Sequence, residues 1–164
     1  MYEFESRNAA LNTWMLLRQA WEATLRATEK DLKKKGATLA EADVLFVVDN
    51  YEGPTTPAEI ARWVFRRTQS VAGLLNRMEK RDLVERRKDQ EDRRLTRIVM
   101  TQKGKQLYAS ADSTGTIQKI MSCLSPQDTE HLERCLKQLR QCALQHLGME
   151  PPKRRHREES SRLR

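Results

Sequence analysis

The sequence predicts a mainly α-helical protein that carries one small antiparallel β-hairpin. Six segments place apolar residues three or four positions apart, which is the spacing of amphipathic helices. Between the fourth and fifth segments this period gives way to two strand-like stretches, LVERRK and LTRIVM. Basic residues concentrate in the same region, because residues 57–105 carry a net charge of +7 out of +8 for all 164 residues. This concentration favours an anionic partner such as nucleic acid.

The first forty residues predict one long helix with an apolar stripe. The lysines of LKKKG suit the last turn of this helix, and Gly36 suits the position just beyond its end. Because a single helix cannot bury such a stripe by itself, we expect it to pack against other helices and a second copy of the chain. The stripe consists of Leu11, Trp14, Leu17, Trp21, Leu25, Thr28 and Leu32.

The second and third helices are predicted from the residues at their starts. Thr38 can cap the second helix, and Glu41 stands three positions on, which is the spacing of a capping box. After the turn-rich NYEGPTTP, Thr56 can cap a short third helix whose first residue is Pro57. The expected apolar face of the second helix consists of Leu39, Leu45, Phe46 and Val48.

The fourth helix is predicted to begin near Thr68 or Ser70 and to have two unlike faces. Four apolar residues at i, i+3, i+4 and i+7 predict a buried stripe: Val71, Leu74, Leu75 and Met78. The opposite face has amides, small residues and cations but no acid: Gln69, Ser70, Gly73, Asn76, Arg77 and Lys80. Side chains of these kinds can approach a base edge without repelling phosphate.

A hairpin and two more helices complete the predicted order. The charged segment DQEDRR joins the two strands and has the length of a hairpin turn. Thr101 can cap a fifth helix that extends through Leu124, and Ser125 and Pro126 have the residue types of a sixth helix start. The final PPKRRHREESSRLR has a net charge of +4 and few apolar residues, so we expect it to be disordered.

Three helices and a hairpin in this order form the pattern of a winged helix-turn-helix domain. Residues 56–104 resemble the core of the MarR-type transcriptional regulators, winged-helix proteins named for control of multiple antibiotic resistance. The wing of that family carries Asp-x-Arg, followed five residues later by Leu-Thr-x-x-Gly. The corresponding residues here are Asp92, Arg94, Met100, Thr101 and Gly104. The run LLNRMEKRDLVERR also matches the passage from the recognition helix to the first strand.

Two residues depart from the family pattern. Met100 replaces the usual leucine, a change that nearly conserves volume. Asp82 stands where the family usually has glycine at the end of the recognition helix. Aspartate adopts positive φ at a higher cost than glycine but more easily than most residues, so the departure bears on a local turn and not on the fold.

The resemblance implies a homodimer with a shared helical dimerisation domain and two winged lobes. We expect residues 1–36 and 102–148 to form the dimerisation domain, residues 37–101 the winged helix-turn-helix domain, and residues 149–164 a basic disordered tail. This arrangement would bury the apolar stripes of the first, fifth and sixth helices. It would also place most of the basic residues of 57–105 in the lobes.

The predicted DNA-binding surface combines the fourth helix with the wing. The fourth helix is expected to enter a major groove, where arginine pairs with guanine and asparagine or glutamine with adenine. Arginines just before it are expected to contact phosphate, and the wing to reach a narrow minor groove. The predicted DNA-binding residues are Arg66, Arg67, Thr68, Gln69, Ser70, Gly73, Asn76, Arg77, Arg87, Lys88, Arg93 and Arg94.

The family pattern assigns different roles to the residues at the tip of the wing. It implies that Asp92 and Arg94 stabilise the wing, which leaves Arg93 as the residue expected to enter the groove. Arg62 is expected to be a solvated helix residue. The alternative for all of these arginines is that they are solvated charges without a DNA contact.

The predicted function is sequence-specific, double-stranded DNA binding by a transcriptional regulator. We expect a dimer that represses transcription from a pseudo-palindromic operator and is released by a small aromatic or phenolic effector, as in many relatives of this kind. A non-specific architectural DNA- or RNA-binding protein is the alternative, and a protein interaction module is a third hypothesis. The sequence indicates no enzyme motif, cofactor, metal site, signal peptide or membrane span, so a cytoplasmic location is expected.

Two groups of residues keep more than one interpretation open. Three cysteines lie in the last two helices, where packing at the dimer contact and sensing of oxidants are both possible: Cys123, Cys135 and Cys142. Four aromatic residues could line an effector pocket or fill a core or an interface: Trp14, Trp21, Phe46 and Trp63.

Overall fold

The computed structural model describes residues 7–51, 55–89, 92–110 and 114–149. These ranges contain seven helices and one antiparallel pair of strands, which confirms the predicted fold class. In chain order the elements are α1 (Ala9–Lys34), α2 (Leu39–Asn50), α3 (Pro57–Trp63), α4 (Thr68–Lys80), β1 (Val84–Lys88), β2 (Thr96–Met100), α5 (Gln102–Ser110), α6 (Thr114–Met121) and α7 (Pro126–His146).

The helices α2, α3 and α7 begin at the residues that the sequence predicts. Thr38 and Glu41 form a reciprocal capping box at the start of α2, which pairs two backbone N–H groups that the helix leaves without partners. The hydroxyls of Thr56 and Ser125 accept backbone N–H bonds at the starts of α3 and α7, and each helix has proline at its first position. Gly36 follows α1 with a φ of 73°, a left-handed conformation that glycine adopts without steric cost.

The main core lies inside the winged lobe. The inner face of α4, predicted from its spacing, is buried at all four positions. It packs with α2, α3 and the hairpin around side chains that are fully removed from solvent, including Leu45, Ile60, Leu83 and Ile98. Leu107 and Tyr108 of α5 pack against the same cluster, so this helix is attached to the lobe.

The hairpin is anchored to the lobe by a segment that precedes α3. In the antiparallel register Val84 is opposite Met100 and Lys88 is opposite Thr96. Thr55 forms two hydrogen bonds with Ile98 of β2. The Thr55 carbonyl accepts from the N–H of Ile98 at 2.9 Å, and the Thr55 hydroxyl donates to the Ile98 carbonyl at 2.7 Å. These bonds attach the middle of β2 to the segment before α3.

The long helices α1 and α7 leave large apolar side chains in solvent. The stripe of α1 is buried only near its end, at Thr28 and Leu32, whereas Trp14 and Trp21 are each 59% exposed. On α7, exposed leucines recur at helical spacing at Leu132, Leu136 and Leu139, and Leu147 just after the helix is exposed as well. The described chain therefore leaves these stripes largely unburied, and their burial against a second copy stays a prediction.

Two details of the sequence-based prediction are wrong. Phe46 does not belong to the buried face of α2, since it is 56% exposed while Val44, Leu45 and Val47 are buried. The run VLFVV is apolar at every position, so its periodicity could not distinguish the inner face from the outer one. The segment predicted as a fifth helix contains α5 and α6 separated by residues 111–113, which lie outside the described residues, and α6 ends before Leu124.

Candidate nucleic-acid interface

A tight turn connects α3 with α4. Phe65 occupies this turn with a φ of 52°, which is uncommon for a residue with a Cβ. The N–H of Arg66 donates to the carbonyl of Ala61 at 3.0 Å and closes the turn. Arg67 is the N-cap residue of α4, and its side chain makes no capping hydrogen bond. Arg66 and Arg67 are both exposed at the amino end of the helix.

The outer face of α4 has the exposure that a groove-reading helix requires. Gln69, Ser70, Asn76 and Arg77 are exposed, and Gly73 between them is half-buried. The Arg77 guanidinium lies over Gly73, where a Cβ would be 3.8 Å from Nη1. The structure thus places Gln69, Ser70, Asn76 and Arg77 on one exposed face of α4, as their spacing predicts, and their contact with DNA stays a prediction.

Asn76 is held by a residue that the sequence analysis did not select. Arg86 of β1 donates from Nη2 to Asn76 Oδ1 at 2.7 Å, and its Nη1 bonds Glu79. A guanidinium has donors only, so the amide oxygen must face it and the amide NH₂ remains available to other acceptors. This contact joins the recognition helix to the wing. No periodicity or local motif connects residues ten positions apart in two different elements.

The turn of the wing contains the ion pair that the family pattern implies. Asp92 Oδ1 accepts from the backbone N–H and Nε of Arg94, both at 3.0 Å, and Asp92 Oδ2 accepts from Arg94 Nη2 at 3.0 Å. These bonds to Arg94 hold the pKa of Asp92 below its ordinary value. Arg93 next to them is exposed, as are Arg87, which pairs with Glu85, and Lys88.

A buried carboxylate at the base of the turn was also missed by the sequence analysis. Asp89 is 3% exposed, and its side chain accepts from the N–H of Asp92 at 2.8 Å and from Nε of Arg97. Opposite charges and a backbone donor compensate for the burial of this group. Asp89 directly follows β1, and the sequence analysis assigned it to the solvated turn.

Thr101 connects the end of the recognition helix with the end of the wing. Its hydroxyl donates to the Asp82 carbonyl at 2.6 Å and accepts from the N–H of Gly104 at 3.0 Å, which caps α5 as expected. Asp82 has a φ of 58°, so this aspartate does adopt the conformation that glycine takes in the family pattern. A Cβ on Gly104 would overlap the Leu83 carbonyl, which explains the glycine of the wing motif.

One acidic group lies close to the predicted phosphate-contacting arginines. Asp43 of α2 is half-buried, and burial raises the pKa of its carboxyl, while the positive charge of Arg66 opposes that increase. Arg66 therefore has an acidic neighbour on α2. Arg67 is exposed at the amino end of α4.

Other kinds of site have little support in the described parts of the chain. No group of three or more His, Cys, Asp and Glu residues there could hold a metal ion. Among the helices in those ranges, none combines the length and apolar content needed to span a membrane. All three cysteines are exposed. An open groove of about 440 Å³ follows α1, but its lining contains none of the four aromatic residues considered for an effector pocket.

Comparison with known proteins agrees with this architecture. The family model described as "MarR family" matches residues 35–95. No curated protein matches the chain. Among solved structures, the chain is similar to AbsC, a MarR family transcriptional regulator from Streptomyces coelicolor, with a TM-score of 0.75 and 20% identity over 85% of this chain and 98% of that one.

Two further solved structures were determined with bound molecules. CouR from Rhodococcus jostii RHA1, bound to p-coumaroyl-CoA, has a TM-score of 0.74 and 20% identity over 82% of this chain and 95% of that one. The S. aureus MepR–DNA complex has a TM-score of 0.68 and 22% identity over 78% of this chain and 96% of that one. The chain thus matches the MarR family model across the helix-turn-helix and into the wing, and along most of its length it shares the winged helix-turn-helix fold of these solved structures.

Proposed function

We propose that two copies of this chain bind a pseudo-palindromic DNA operator and repress transcription. The observation that carries this proposal is the juxtaposition of two surfaces on one lobe. The outward face of α4 presents Gln69, Ser70 and Arg77 without an acid, and the adjoining wing presents Arg93 and Lys88. A helix of this kind fits a major groove, and a cationic hairpin beside it fits the neighbouring minor groove.

The roles within this surface follow from the contacts of each residue. Arg77, Gln69 and Ser70 would read base edges, and Arg67 would bind phosphate at the amino end of α4. Arg93 would enter the minor groove. The other members of the predicted set, Arg66, Thr68, Gly73, Asn76, Arg87, Lys88 and Arg94, would position or surround these contacts.

The exposed apolar stripes support the dimer. Leu11, Trp14 and Trp21 of α1 and Leu136 and Leu139 of α7 are each between 39% and 59% exposed. Contiguous apolar surface on a regulator of this size is characteristic of an interface with a second copy. A two-fold dimer would present two α4 helices to successive major grooves, about one helical turn apart. Residues 1–36 and 102–148 would form the dimerisation domain, residues 37–101 the DNA-binding lobe and residues 149–164 a basic tail.

Release by a small molecule is the second part of the proposal. CouR was solved with p-coumaroyl-CoA and another similar structure, RdhR-CbdbA1625, with 2,4-dichlorophenol, so aromatic effectors are a sensible first choice. An effector that binds one dimer shape better than the other would shift the population away from the DNA-binding shape. Because the matched family model describes transcriptional regulators, we do not expect the protein to be an enzyme, and we expect it to act in the cytoplasm.

Selection of bound sequences from random duplexes tests the proposed function. Repeated rounds with the full chain should enrich an inverted repeat, and binding to it should resist a large excess of random DNA. Candidate phenolic ligands should then release the selected duplex. If the enriched pool shows no inverted repeat and random DNA competes equally, the chain is an architectural binder instead.

A further inference from the structure

Arg81 lies immediately after the recognition helix and connects it to the beginning of the lobe. Its Nη1 donates to Glu41 Oε1 at 2.5 Å, and its Nη2 donates to the backbone carbonyl of Gly36 at 2.8 Å. Glu41 is 40 positions away along the chain, and Gly36 is 45 positions away. A single guanidinium therefore joins the residue after α4, the turn after α1 and the first turn of α2.

The partner carboxylate is strongly constrained. Glu41 is 4% exposed, and its second oxygen accepts the N–H of Thr38 at 3.0 Å in the capping box. A buried carboxylate needs charged or hydrogen-bonded partners on both oxygens, and Arg81 supplies the charged one. Because the capping box fixes the Glu41 side chain, the position of the Arg81 guanidinium is fixed in turn.

The Gly36 carbonyl belongs to the joint between the long first helix and the winged lobe. Gly36 has a φ of 73°, and the N–H of Ala37 donates back to the Leu32 carbonyl at 3.0 Å. Leu32 and Ala37 are buried together in a small cluster beneath this turn. The turn after α1 is thus held by the apolar packing of Leu32 and Ala37 and by the hydrogen bond from Arg81 to the Gly36 carbonyl.

We propose that Arg81 is a positioning residue that sets the direction of α4 relative to α1. This inference rests on the proposed function, in which α1 belongs to the dimerisation domain and two α4 helices meet one duplex. If the angle between α1 and α4 is fixed, the separation of the two recognition helices is fixed as well. Arg81 would then determine which spacing of operator half-sites the dimer accepts, without reading a base itself.

Binding to operators of altered spacing tests this role. Adding or removing one base pair between half-sites moves them by about 3.4 Å and rotates them by about 35°. The selected operator and these two spacing variants are titrated with the wild type, Arg81→Met and Arg81→Lys, at one salt concentration. The wild type should prefer one spacing, and both variants should reduce that preference by at least about threefold, because a looser joint lowers the cost of refitting the DNA.

Arg62→Met is the matched control. It removes the same charge from a side chain that is 48% exposed, against 46% for Arg81, and breaks only the exposed contact with Glu59 on its own helix. It should leave the spacing preference unchanged. Thermal unfolding and the oligomeric state of each variant are measured alongside, and if Arg81→Met does not fold, Arg81→Lys and Glu41→Gln carry the test.

The possible outcomes separate this inference from the proposed function. A reduced preference in the Arg81 variants, with wild-type preference in Arg62→Met, supports the positioning role. An unchanged preference in the folded Arg81 variants overturns it, as does an equal reduction in the control. A lower salt slope with unchanged spacing preference would instead identify Arg81 as a phosphate contact. If the wild type prefers no duplex at all, the proposed function fails first and this inference fails with it.

Discussion

At the scale of single residues, the exposed side chains of α4 differ in how much freedom the fold leaves them. Asn76 is tied through its amide oxygen to Arg86, whereas Arg77 lies over Gly73, which has no side chain to obstruct it. The long guanidinium of Arg77 can therefore reach a base edge, and its fork matches the two acceptors of guanine. Among the α4 residues, we expect Arg77 to contribute most to base selection.

Arg77→Ala should weaken binding to the selected operator by about 1–3 kcal/mol and relax the base preference at one position of each half-site. Titration against the operator and against single-base variants at fixed salt measures both effects. Arg62→Ala is the control, because it removes an equal charge from the neighbouring helix. Unaltered affinity and base preference in Arg77→Ala would contradict the proposed placement of α4.

The Asp92–Arg94 pair should be visible in the titration of the wing. The hydrogen bonds from Arg94 lower the pKa of Asp92 below its ordinary value of 3.8, so the folded wing favours the ionised carboxylate. A lowered folded pKa contributes stability that is present above the unfolded value and is lost as the pH falls through the folded value. We expect the Asp92 carboxyl to titrate below 3.8 in the wild type and closer to 3.8 in Arg94→Ala, as measured by NMR. Equal midpoints in the two proteins would show that the pair does not form in solution.

At the scale of elements, the wing and the recognition helix are positioned by contacts that cross between segments. The Thr101 hydroxyl bonds the Asp82 carbonyl, Thr55 bonds β2, and Arg86 joins β1 to α4. The rigidity of the interface therefore depends on the close approach of α5 to the turn that follows α4. At Gly104 this approach leaves no room for a Cβ, which would overlap the Leu83 carbonyl.

Gly104→Ala should destabilise the lobe by about 3 kcal/mol, because the added Cβ would overlap the Leu83 carbonyl and one of the elements would have to move. Gly115→Ala is a matched control on α6, where a Cβ would meet no atom within 4 Å. That substitution should be neutral or should stabilise the protein by about 0.5–1 kcal/mol, since alanine favours a helix over glycine. Denaturant unfolding of the two variants measures the difference, and equal stability would be inconsistent with the close approach.

We expect the wing to contribute to DNA affinity through its positive charge. Arg93→Ala should reduce the slope of log affinity against log salt by about one, because one phosphate neutralisation is lost. The measurement is operator affinity at several salt concentrations for wild type and variant. Arg134→Ala on α7, remote from the lobe in sequence and exposed, is the control, because it lowers the net charge by the same amount. An identical slope for Arg93→Ala and wild type would remove this residue from the interface.

At the scale of the whole molecule, the proposed DNA binding by two lobes would depend on the apolar stripes of α1 and α7. Leu139 is 51% exposed in the single chain and lies on the same face of α7 as Leu132 and Leu136. A charge introduced there would be desolvated in a dimer at high cost. A charge on the opposite face of the same helix would remain in water.

Leu139→Glu should therefore shift the protein toward monomers and abolish tight operator binding, whereas Gln141→Glu should leave both properties intact. Light scattering coupled to size-exclusion chromatography gives the oligomeric state, and the operator titration gives the affinity. A Leu139→Glu protein that stays dimeric would exclude this face of α7 from the interface. A monomer that still binds the full operator tightly would overturn the dimeric mode of binding.

Much of the fold follows from local patterns because the interactions that start and end helices are local. Thr38, Thr56 and Ser125 cap helices through N–H groups three positions away, and the spacing of the α4 stripe predicted its buried face. The same reasoning failed for Phe46, since a continuous apolar run has no preferred face. The contacts made by Arg86, Asp89 and Arg81 could not be predicted either, because their partners lie 10, 8 and 40 positions away.

The sequence by itself determined the mainly helical fold class, the order of α1 to α4 and the hairpin, the acid-free face of α4 and the concentration of positive charge in residues 57–105. Each of these depends on residues within a few positions of one another, whose periodicity and capping are properties of the local chain. Only the tertiary structure decided that Asn76 is held by Arg86, that Asp89 is buried beneath the wing, and that Arg81 joins α4 to the turn after α1. These contacts depend on how distant segments are brought together by burial of the core, and no local pattern records that arrangement.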